Sequence, residues 1–502
     1  MIPLTLAEVA AATGGYVDPP TAAGVVVSAP ASLDSRAVPA GGLFVAVAGE
    51  RVDGHDYAAG AVAAGAAAVL AARPVGAPAV VVDDPVVGLG RLARAVLDRL
   101  PDVTVVALTG SQGKTGTKDF LAHVLAAAGP TVATAGNLNN ELGVPLTVLR
   151  ADATTSYLVV EMGARGIGHI AYLCEIAPPA AAAVLNVGTA HVGEFGSVDA
   201  IARAKGEIVE ALGETGTAVL NADDVRTAAM DRRTTARVLT FGEAGDVAWR
   251  GLTVDDLGRP SVELGHDGAW APLTLLLSGE HQVANAAAAA ALALGVGIPF
   301  DDVVAALATA RSASRWRMEI SERADGLVVV NDAYNANPAS MGAAVGTLAA
   351  IGRRRPEART VAVLGEMLEL GDGAEEAHRA LGARVSAEGV DVLVAVGEAG
   401  ALIAAGVPTA TTEVHVTPTR EAASAWLRHN VSARDVVLVK ASRGAALEVL
   451  AAGLLEPGDP PDGRTASPTA SPTASPTASP TASPTASPTA SPTASTEEGP
   501  TT

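Results

Sequence analysis

Short runs of valine and leucine alternate with alanine-rich stretches through most of the first 456 residues of this chain. Such alternation is typical of parallel β-sheets that are covered by helices, so the predicted fold class is α/β. Seven apolar runs predict strands, at 103–108, 157–162, 182–187, 327–332, 360–365, 392–397 and 436–440. Several of these runs end at a polar or charged residue. Because ligands of open α/β sheets bind beyond the carboxyl ends of the strands, we look for candidate chemistry there.

The order of these elements predicts three folded domains. At roughly 150 residues per domain, a chain of 502 residues has room for about three. We place one boundary near Pro101, before the first strong parallel strand, and another within 311–317. The predicted domains are a small α/β domain at 1–100, a central parallel sheet at 101–313 and a C-terminal Rossmann-like domain at 314–456.

The longest apolar run, 284–300, could belong to a membrane span or to a buried helix. It consists mostly of alanine and glycine and contains Asn285. It is also shorter than the roughly 20 apolar residues that a spanning helix needs. We therefore predict a buried helix and no membrane partner.

Residues 457–502 have a different composition from the rest of the chain. The sequence Thr-Ala-Ser-Pro is repeated seven times from Thr465 to Pro492. Such a segment has too little apolar bulk to offset the entropy lost on ordering, so we predict a disordered tail. A solvated tether and a modified or partner-binding stalk both stay open as its role.

The net charge of the chain argues against two classes of binding partner. With 34 basic and 54 acidic residues, the net charge is −20. General binding to nucleic acid or to anionic membranes needs a positive surface, so neither is expected. A single cysteine, Cys174, cannot form an internal disulfide, and no secretory signal is visible, which together predict a cytoplasmic location.

Lysine is rare in this chain, because all but four of the 34 basic residues are arginine. The remaining lysines therefore point to positions where an ammonium or a reactive amine is needed, although chance retention is the simpler alternative. Lys118 lies one helical turn after Lys114, and we interpret it as solvated. The lysines are Lys114, Lys118, Lys205 and Lys440.

The segment 105–115 has the pattern of a phosphate-binding loop: a buried strand, a glycine turn and the start of a helix. Glycines let backbone amides point at phosphate oxygens, Lys114 would reach the outer phosphates and Thr115 would hold Mg²⁺. The spacing departs from the usual P-loop, because Leu108 stands where that motif begins with glycine. The predicted nucleotide-binding residues of the loop are Gly110, Ser111, Gln112, Gly113, Lys114 and Thr115.

Two candidate metal ligands follow neighbouring predicted strands. Glu161 ends the run that begins at Tyr157, and His191 follows the run 182–187. A carboxylate and an imidazole beside the phosphate loop could each bind magnesium that bridges nucleotide and substrate oxygens. A hydrogen-bonded structural role for His191 stays open as the alternative.

Lys205 lies in a predicted helix at 197–212. An amine can react with CO₂ to give a carbamate, which presents two oxygens to a metal, and a guanidinium would not do so readily. The alternative interpretation of Lys205 is an ordinary surface lysine.

Taken together, these motifs resemble the Mur ligase family, ATP-dependent enzymes that extend the peptide of the bacterial cell-wall precursor. The resemblance covers about residues 30–456 and includes the short phosphate loop and the run 279–286 around Asn285. It implies ATP and two Mg²⁺ ions as cofactors, with the metal held by Thr115, Glu161, His191 and a carbamylated Lys205. It also implies that Asn285 contacts adenine, Arg317 phosphate and Asp332 ribose.

Local runs are most similar to the family member that joins D-alanyl-D-alanine to UDP-N-acetylmuramoyl-tripeptide. These runs are 136–145, 334–338 and 363–371. The resemblance implies a peptide ligase of peptidoglycan precursor synthesis that forms ADP and phosphate and acts on these small molecules. We expect a monomer, and the sequence leaves the oligomeric state open. The candidate substrate contacts are Ser35 and Arg36 in the N-terminal domain, which would bind the UDP-sugar, and Asn335 and Asn337 in the C-terminal domain.

Three points stay open from the sequence. The run 165–170 departs from the Asn-His-x-Gly-Glu pattern of many relatives, so no role is carried over to it. Lys440 could hold the dipeptide or ATP, or it could be a structural lysine at the end of a strand. The alternative functions are a related ligase that adds a single diamino acid, and a P-loop protein that binds or hydrolyses ATP without ligating anything.

Overall fold

The computed structural model describes residues 1–49, 52–188, 195–311, 316–368, 370–408 and 412–456. The predicted tail, 457–502, lies outside the described residues. The strands, numbered in chain order, are β1 Leu4–Thr5, β2 Tyr16–Asp18, β3 Val26–Val27, β4 Leu43–Val45, β5 Ala68–Ala71, β6 Ala79–Val81, β7 Thr104–Thr109, β8 Thr131–Ala133, β9 Tyr157–Glu161, β10 Ala181–Val184, β11 Thr217–Asn221, β12 Arg237–Phe241, β13 Val247–Val254, β14 Pro260–His266, β15 Ala269–Thr274, β16 Glu319–Glu322, β17 Val328–Asn331, β18 Thr360–Leu364, β19 Val392–Val396, β20 Glu413–Thr417 and β21 Val436–Lys440.

Helices connect most of these strands. They span Leu6–Thr13, Ala58–Ala63, Pro85–Leu97, Lys114–Ala128, Gly143–Val148, His169–Ile176, Val198–Glu210, Val225–Ala228, His281–Gly295, Phe300–Leu307, Pro338–Arg354, Ala374–Ala387, Gly397–Ala405, Arg420–Asn430 and Glu448–Leu455. None of the helices in the described ranges is long and apolar enough to cross a bilayer.

The described part of the chain forms three sheets and a short β1–β3 ribbon. The N-terminal sheet has the strand order β2-β6-β5-β4, the central sheet β15-β14-β13-β12-β11-β10-β7-β9-β8, and the C-terminal sheet β16-β17-β21-β18-β19-β20. The connection between the first two sheets contains Pro101, and residues 312–315 of the second predicted boundary lie outside the described range. The α/β class is confirmed, and the domain limits at 100 and 313 stay predictions.

The central sheet brings the predicted strand ends together. Strand β7, which leads into the phosphate loop, lies between β9 and β10 and is parallel to both. Leu108 of β7 is opposite Glu161, the last residue of β9. The Glu161 carboxylate, at the end of β9, therefore lies beside the glycine turn that follows β7.

The predicted strands are all present, with ends that shift by up to three residues. The largest shift is in β10, which ends at Val184 rather than at 187. The three residues beyond Val184 leave the sheet, and Asn186 turns its side chain onto the phosphate loop. The antiparallel extension formed by β13, β14 and β15 was not predicted from the sequence.

The apolar run at 284–300 forms a buried helix, as predicted, but the helix ends at Gly295. Gly297 adopts a positive φ of 91° and Pro299 precedes a second helix, Phe300–Leu307, so the run is broken by a turn. The helix His281–Gly295 packs against Lys114–Ala128 over a row of alanines that are at most 1% exposed. These small side chains let the helix that carries Asn285 approach the phosphate loop closely.

Candidate active site

A cavity of about 950 Å³ lies where the central and C-terminal sheets face each other, and part of the N-terminal helix Pro85–Leu97 also lines it. Most of the predicted site residues form its walls. They are Ser111, Gln112, Gly113, Lys114, Thr115, Glu161, Lys205, Asn285, Arg317, Asp332, Asn335 and Asn337. Gly110 lies in the same loop, behind the wall. His191 lies outside the described residues, so its predicted role as a metal ligand stays a prediction.

The conformation of the phosphate loop is fixed by a hydrogen bond within the loop and by hydrogen bonds to Asn186, which follows β10. The amides of Ser111 and Gln112 donate to Asn186 Oδ1, at 3.0 and 2.9 Å. Lys114 Nζ donates to the Gly110 carbonyl oxygen at 2.8 Å, which turns the ammonium back over the loop. Gly113 has a φ of 78°, a conformation that favours glycine, and begins the helix Lys114–Ala128.

Gly113 is also required because of its neighbour Asn285. A Cβ on Gly113 would lie 2.5 Å from Asn285 Oδ1. That amide oxygen accepts from Thr117 Oγ1 at 3.4 Å, and Asn285 Nδ2 donates to Gln282 Oε1 at 2.9 Å. The side chain predicted to contact adenine is therefore packed against the first turn of the phosphate-loop helix.

The Lys114 ammonium of the phosphate loop lies near a second cation, Arg317. Withdrawal from water lowers the pKa of Lys114, and Arg317, which belongs to the C-terminal part of the chain, lowers it further. Glu161 acts in the opposite direction. A polyanion such as a nucleotide phosphate group would relieve the repulsion between these two cations.

Glu161 is 2% exposed and is held by three groups. Thr115 Oγ1 donates to its Oε2 at 3.2 Å, and Asn139 Nδ2 donates to its Oε1 at 2.7 Å. Its own amide donates to Thr134 Oγ1 at 3.0 Å. A hydroxyl beside a buried carboxylate is a donor set that suits Mg²⁺, so these residues fit the predicted ion.

The described residues do not form a complete metal site by themselves. No three histidine, cysteine, aspartate or glutamate side chains among them are grouped as metal ligands. An ion at Thr115 and Glu161 would therefore take further oxygens from bound molecules or from residues beyond the described ranges.

Lys205 is 7% exposed, so the alternative interpretation as a surface lysine is wrong. Burial lowers its pKa to about 7, and the nearby positive charge of Lys114 contributes to the same shift. Among the described residues, none accepts a hydrogen bond from Lys205 Nζ. At that pKa about half of this amine is neutral near pH 7.

The helix that carries Lys205, Val198–Glu210, is bound by the side chain of Arg233, which lies outside this helix. Arg233 donates to the carbonyl oxygens of Ala202 and Arg203 at 3.0 and 2.8 Å. Its guanidinium lies directly against the Cα of Gly206, where a side chain would collide with it. The turn beside Lys205 is thus fixed by an arginine that the sequence analysis did not identify.

On the C-terminal wall, Arg317 lies between two residues in the left-handed region, Trp316 with a φ of 61° and Met318 with a φ of 48°. Non-glycine residues adopt this conformation only where surrounding contacts fix it. The Arg317 guanidinium stacks 4.2 Å from the ring centre of Tyr334, and the Met318 amide donates to Asp332 Oδ1 at 3.0 Å. These contacts place the arginine and the aspartate on the same wall.

The two predicted asparagines of this wall differ in their local contacts. Asn337 caps the helix Pro338–Arg354, and its Oδ1 accepts from the Ser340 amide at 2.8 Å. Asn335 is exposed, with its Oδ1 accepting from the neighbouring Ala336 amide at 2.9 Å. Both line the cavity, and their substrate contacts stay predictions.

Ser35 and Arg36 are not brought to this cavity by the described chain. They precede β4 of the N-terminal sheet, where the Arg36 side chain is 87% exposed and pairs with Asp34 at 2.9 Å. That guanidinium, the main cause, lowers the pKa of Asp34 to about 2. Their proposed contact with a UDP group therefore concerns a separate part of the surface.

The interpretation of Lys118 as solvated is wrong. It is 4% exposed, its Nζ donates to the Thr134 carbonyl oxygen at 3.0 Å, and it lies 2.8 Å from Asp119 Oδ1. The Thr134 hydroxyl in turn accepts a hydrogen bond from the Glu161 amide. Lys118 therefore connects the phosphate-loop helix to Thr134, the residue that binds the backbone of Glu161. Asn139 and Asn186 were also missed as supports, although both occur in polar stretches that follow or face strand ends.

Family descriptions match three parts of the chain. They are the Mur ligase family catalytic domain at residues 31–99, the Mur ligase middle domain at 108–293 and the Mur ligase glutamate ligase domain at 316–443. The chain belongs to the Mur ligase family, and it is an ATP-dependent peptide ligase.

Several individual proteins of this family are similar to the chain over most of its length. The chain is 46% identical over 504 residues to the UDP-N-acetylmuramoyl-tripeptide–D-alanyl-D-alanine ligase of Mycobacterium tuberculosis (strain ATCC 25618 / H37Rv). The alignment covers 91% of this chain and 98% of that relative. It is 36% identical over 437 residues to the ligase of the same name from Escherichia coli K12, covering 85% and 94%. A crystal structure of MurF from Acinetobacter baumannii has a TM-score of 0.83 and 34% identity, and covers 91% of this chain and 99% of that one. MurF from Thermotoga maritima in complex with ADP has a TM-score of 0.72 and 32% identity, covering 86% and 97%.

Proposed function

We propose that this chain joins D-alanyl-D-alanine to UDP-N-acetylmuramoyl-tripeptide in peptidoglycan precursor synthesis, with ATP converted to ADP and phosphate. The observation that carries the proposal is the cavity in which Lys114, Glu161 and Lys205 of the central sheet face Arg317 and Asp332 of the C-terminal one. The similarity to ligases of this name over nine-tenths of the chain supports the choice of substrates.

Each substrate is assigned to a different part of the molecule. ATP would lie on the phosphate loop, with adenine near Asn285 and the ribose near Asp332. The UDP group would bind the N-terminal domain at Ser35 and Arg36, since an arginine fork suits a diphosphate. The dipeptide would approach from the wall that contains Asn335 and Asn337, and the domain division at 100 and 313 is part of this proposal.

The first chemical step activates the tripeptide. A free carboxylate is a poor acyl donor because its leaving group would be oxide. One of its oxygens attacks the γ-phosphorus, the bond to the β-γ bridging oxygen breaks, and ADP leaves behind an acyl phosphate. Lys114 and Arg317 would stabilise the charge that develops on the transferring phosphoryl group, mainly through positioning and electrostatics.

The second step forms the peptide bond. The neutral amine of D-alanyl-D-alanine attacks the acyl carbon, the bond from carbon to phosphate oxygen breaks, and phosphate leaves with the electron pair. The amine nitrogen loses a proton. Because water would hydrolyse the acyl phosphate, the walls from the central and C-terminal sheets would exclude it during the reaction.

Two magnesium ions are part of the proposal, held by Thr115, Glu161, His191 and Lys205 as a carbamate. When bound, magnesium supplies positive charge that neutralises phosphate oxygens. The hydroxyl of Thr115 beside the buried carboxylate of Glu161 supports this assignment, and His191 rests on the sequence alone.

The carbamate at Lys205 would form when its neutral amine attacks CO₂, giving an N-carboxylate and one released proton. Burial without an acceptor among the described residues supports this reaction, because a cation in that position repels Lys114 whereas a carbamate would attract it. An arginine could provide positive charge there but not the anionic oxygens.

We further propose that the enzyme works as a monomer in the cytoplasm. The single cysteine is buried and unpaired, as suits a reducing compartment.

An amine-dependence assay with purified protein and defined UDP-muramyl peptides tests the proposed function. With UDP-N-acetylmuramoyl-tripeptide and ATP present, phosphate release should require D-alanyl-D-alanine, and the product should gain the mass of the dipeptide less water. With UDP-N-acetylmuramoyl-dipeptide as acceptor, a single diamino acid should give no product. Release that depends on the diamino acid, or that ignores muramyl peptide altogether, would exclude the proposal.

A further inference from the structure

Lys440, the last residue of β21, is buried to 2% exposure at the wall of the cavity. Its Nζ lies 2.6 Å from Asp332 Oδ2, 2.8 Å from the carbonyl oxygen of Asn335 and 3.4 Å from the carbonyl oxygen of Asp332. Strand β17, which precedes Asp332, pairs in parallel with β21, so the sheet brings together residues 108 positions apart.

The hydrogen-bond capacity of this ammonium is fully used. A lysine Nζ has three N–H donors, and each of the three oxygens can accept one of them. All three donors of Lys440 are thus directed at protein oxygens rather than at a substrate carboxylate or a phosphate, and the contact with the Asp332 carbonyl oxygen is the longest, at 3.4 Å. This count argues against direct contact with the dipeptide or ATP, two of the roles left open by the sequence.

Lys440 contacts two residues that line the cavity and that the proposed function assigns to ligands, Asp332 and Asn335. Asp332 Oδ2 pairs with Lys440 while Oδ1 accepts from the Met318 amide, next to Arg317. The carbonyl of Asn335 belongs to the turn that leads into the helix Pro338–Arg354. One ammonium thus fixes the orientation of the aspartate and the start of the turn beside it.

We propose that Lys440 is a positioning residue that holds Asp332, and through it the segment around Arg317, in the orientation that binds the nucleotide. This inference deepens the proposed function and rests on its assignment of ATP to this wall. A buried ion pair of this kind is weak support for stability, because desolvation offsets much of the attraction, but it fixes a geometry strongly.

The test compares nucleotide binding with folding. In Lys440→Met, the affinity for the Mg²⁺ complex of a non-hydrolysable ATP analogue, measured by calorimetry, should fall about tenfold or more. The KM for UDP-N-acetylmuramoyl-tripeptide should stay within about twofold of the parent value, because that substrate lies on other domains. A variant that melts at lower temperature but binds the analogue with unchanged affinity would reduce Lys440 to a structural residue and overturn the proposal.

A double-mutant cycle separates positioning from direct contact. If Lys440 acts through Asp332, then adding Lys440→Met to Asp332→Asn should change analogue affinity by less than about twofold. The double variant also removes both buried charges, so it should fold even if Lys440→Met alone does not. Additive losses in the cycle would mean that Lys440 touches the nucleotide itself, which would overturn the proposal.

Arg359→Met is the matched control. Arg359 pairs with Asp435 at 2.9 Å at the opposite, amino-terminal end of the same sheet, just before β18 and β21. Its loss should lower the melting temperature and leave analogue affinity unchanged, and a tenfold loss there would contradict a local role for Lys440. Because analogue binding is measured without ligation, these outcomes are distinguishable from a failure of the D-alanyl-D-alanine assay.

Discussion

Two buried lysines face the cavity from opposite walls, and their surroundings differ. Lys205 of the central wall is 7% exposed and, within the described ranges, has no acceptor for its ammonium. Lys440 of the C-terminal wall is 2% exposed and donates to three oxygens. A buried cation with acceptors fixes a geometry, whereas one without acceptors is destabilised as a cation and prone to change its chemical state. We therefore assign reactivity to Lys205 and positioning to Lys440.

The largest expected effect is at Lys205. Lys205→Arg keeps a positive charge but cannot form the carbamate, so the rate of ligation should fall by at least about a hundredfold. Short carboxylic acids should partly restore the rate of Lys205→Ala, because they supply the missing oxygens. Initial rates of phosphate release measure both effects.

The control for this substitution is on the same helix. The Arg203 side chain is exposed, and Arg203→Ala should leave the rate unchanged. Full activity of Lys205→Arg would remove the distinction between the two lysines.

The pH dependence of carbamate formation sharpens the comparison. With a pKa lowered to about 7, the neutral fraction of Lys205 rises from about a tenth at pH 6 to about nine-tenths at pH 8. After CO₂ is removed, the rate of reactivation at a fixed concentration of dissolved CO₂ should rise about tenfold between these values and then level off. A rate that keeps rising tenfold per pH unit above pH 8 would indicate an ordinary lysine pKa and contradict the account.

The contact between Arg233 and the helix that carries Lys205 can be changed by a substitution that leaves the lysine in place. In Gly206→Ala the new methyl group would collide with the Arg233 guanidinium, which would have to leave the carbonyls that it binds. We expect the free energy of unfolding to fall by about 1–3 kcal/mol and kcat to fall with it.

The control is another helical glycine, Gly453, which has open space around its Cα. Gly453→Ala should raise the free energy of unfolding by up to about 1 kcal/mol, because alanine favours helix. If Gly206→Ala behaved in the same way, the clamp by Arg233 would have no effect on the site.

The smallest effect is expected for the repeat segment at the end of the chain. Deletion of the residues after Pro457 should leave the catalytic rates unchanged, because the repeat composition predicts no packing against either wall. A loss of more than a few-fold in kcat or kcat/KM would show that the tail contributes to one of the two walls of the cavity.

These positions also show what could be predicted from the sequence. Glu161 and the phosphate loop were predictable because strand periodicity places both at the carboxyl edge of one parallel sheet. The asymmetry between Lys205 and Lys440 was not, because it depends on β17 and β21 becoming neighbours although other strands lie between them along the chain.

Lys118 illustrates the same limit on a helix. Four residues after Lys114, it was expected to be solvated, but the helix Lys114–Ala128 is covered by the sheet and by His281–Gly295, so few of its faces reach water. A periodic pattern indicates which face is apolar, and it does not indicate how many neighbours a helix has.

Oxygen transfer tests the central claim, ATP-driven ligation through an acyl phosphate, most directly. The terminal carboxylate of UDP-N-acetylmuramoyl-tripeptide is labelled with ¹⁸O, and the phosphate released with ATP and D-alanyl-D-alanine is analysed by mass spectrometry. The account predicts one ¹⁸O atom in each phosphate formed, in step with the appearance of the ligated product. Phosphate without the label, or labelled phosphate that accumulates equally when the dipeptide is omitted, would contradict it.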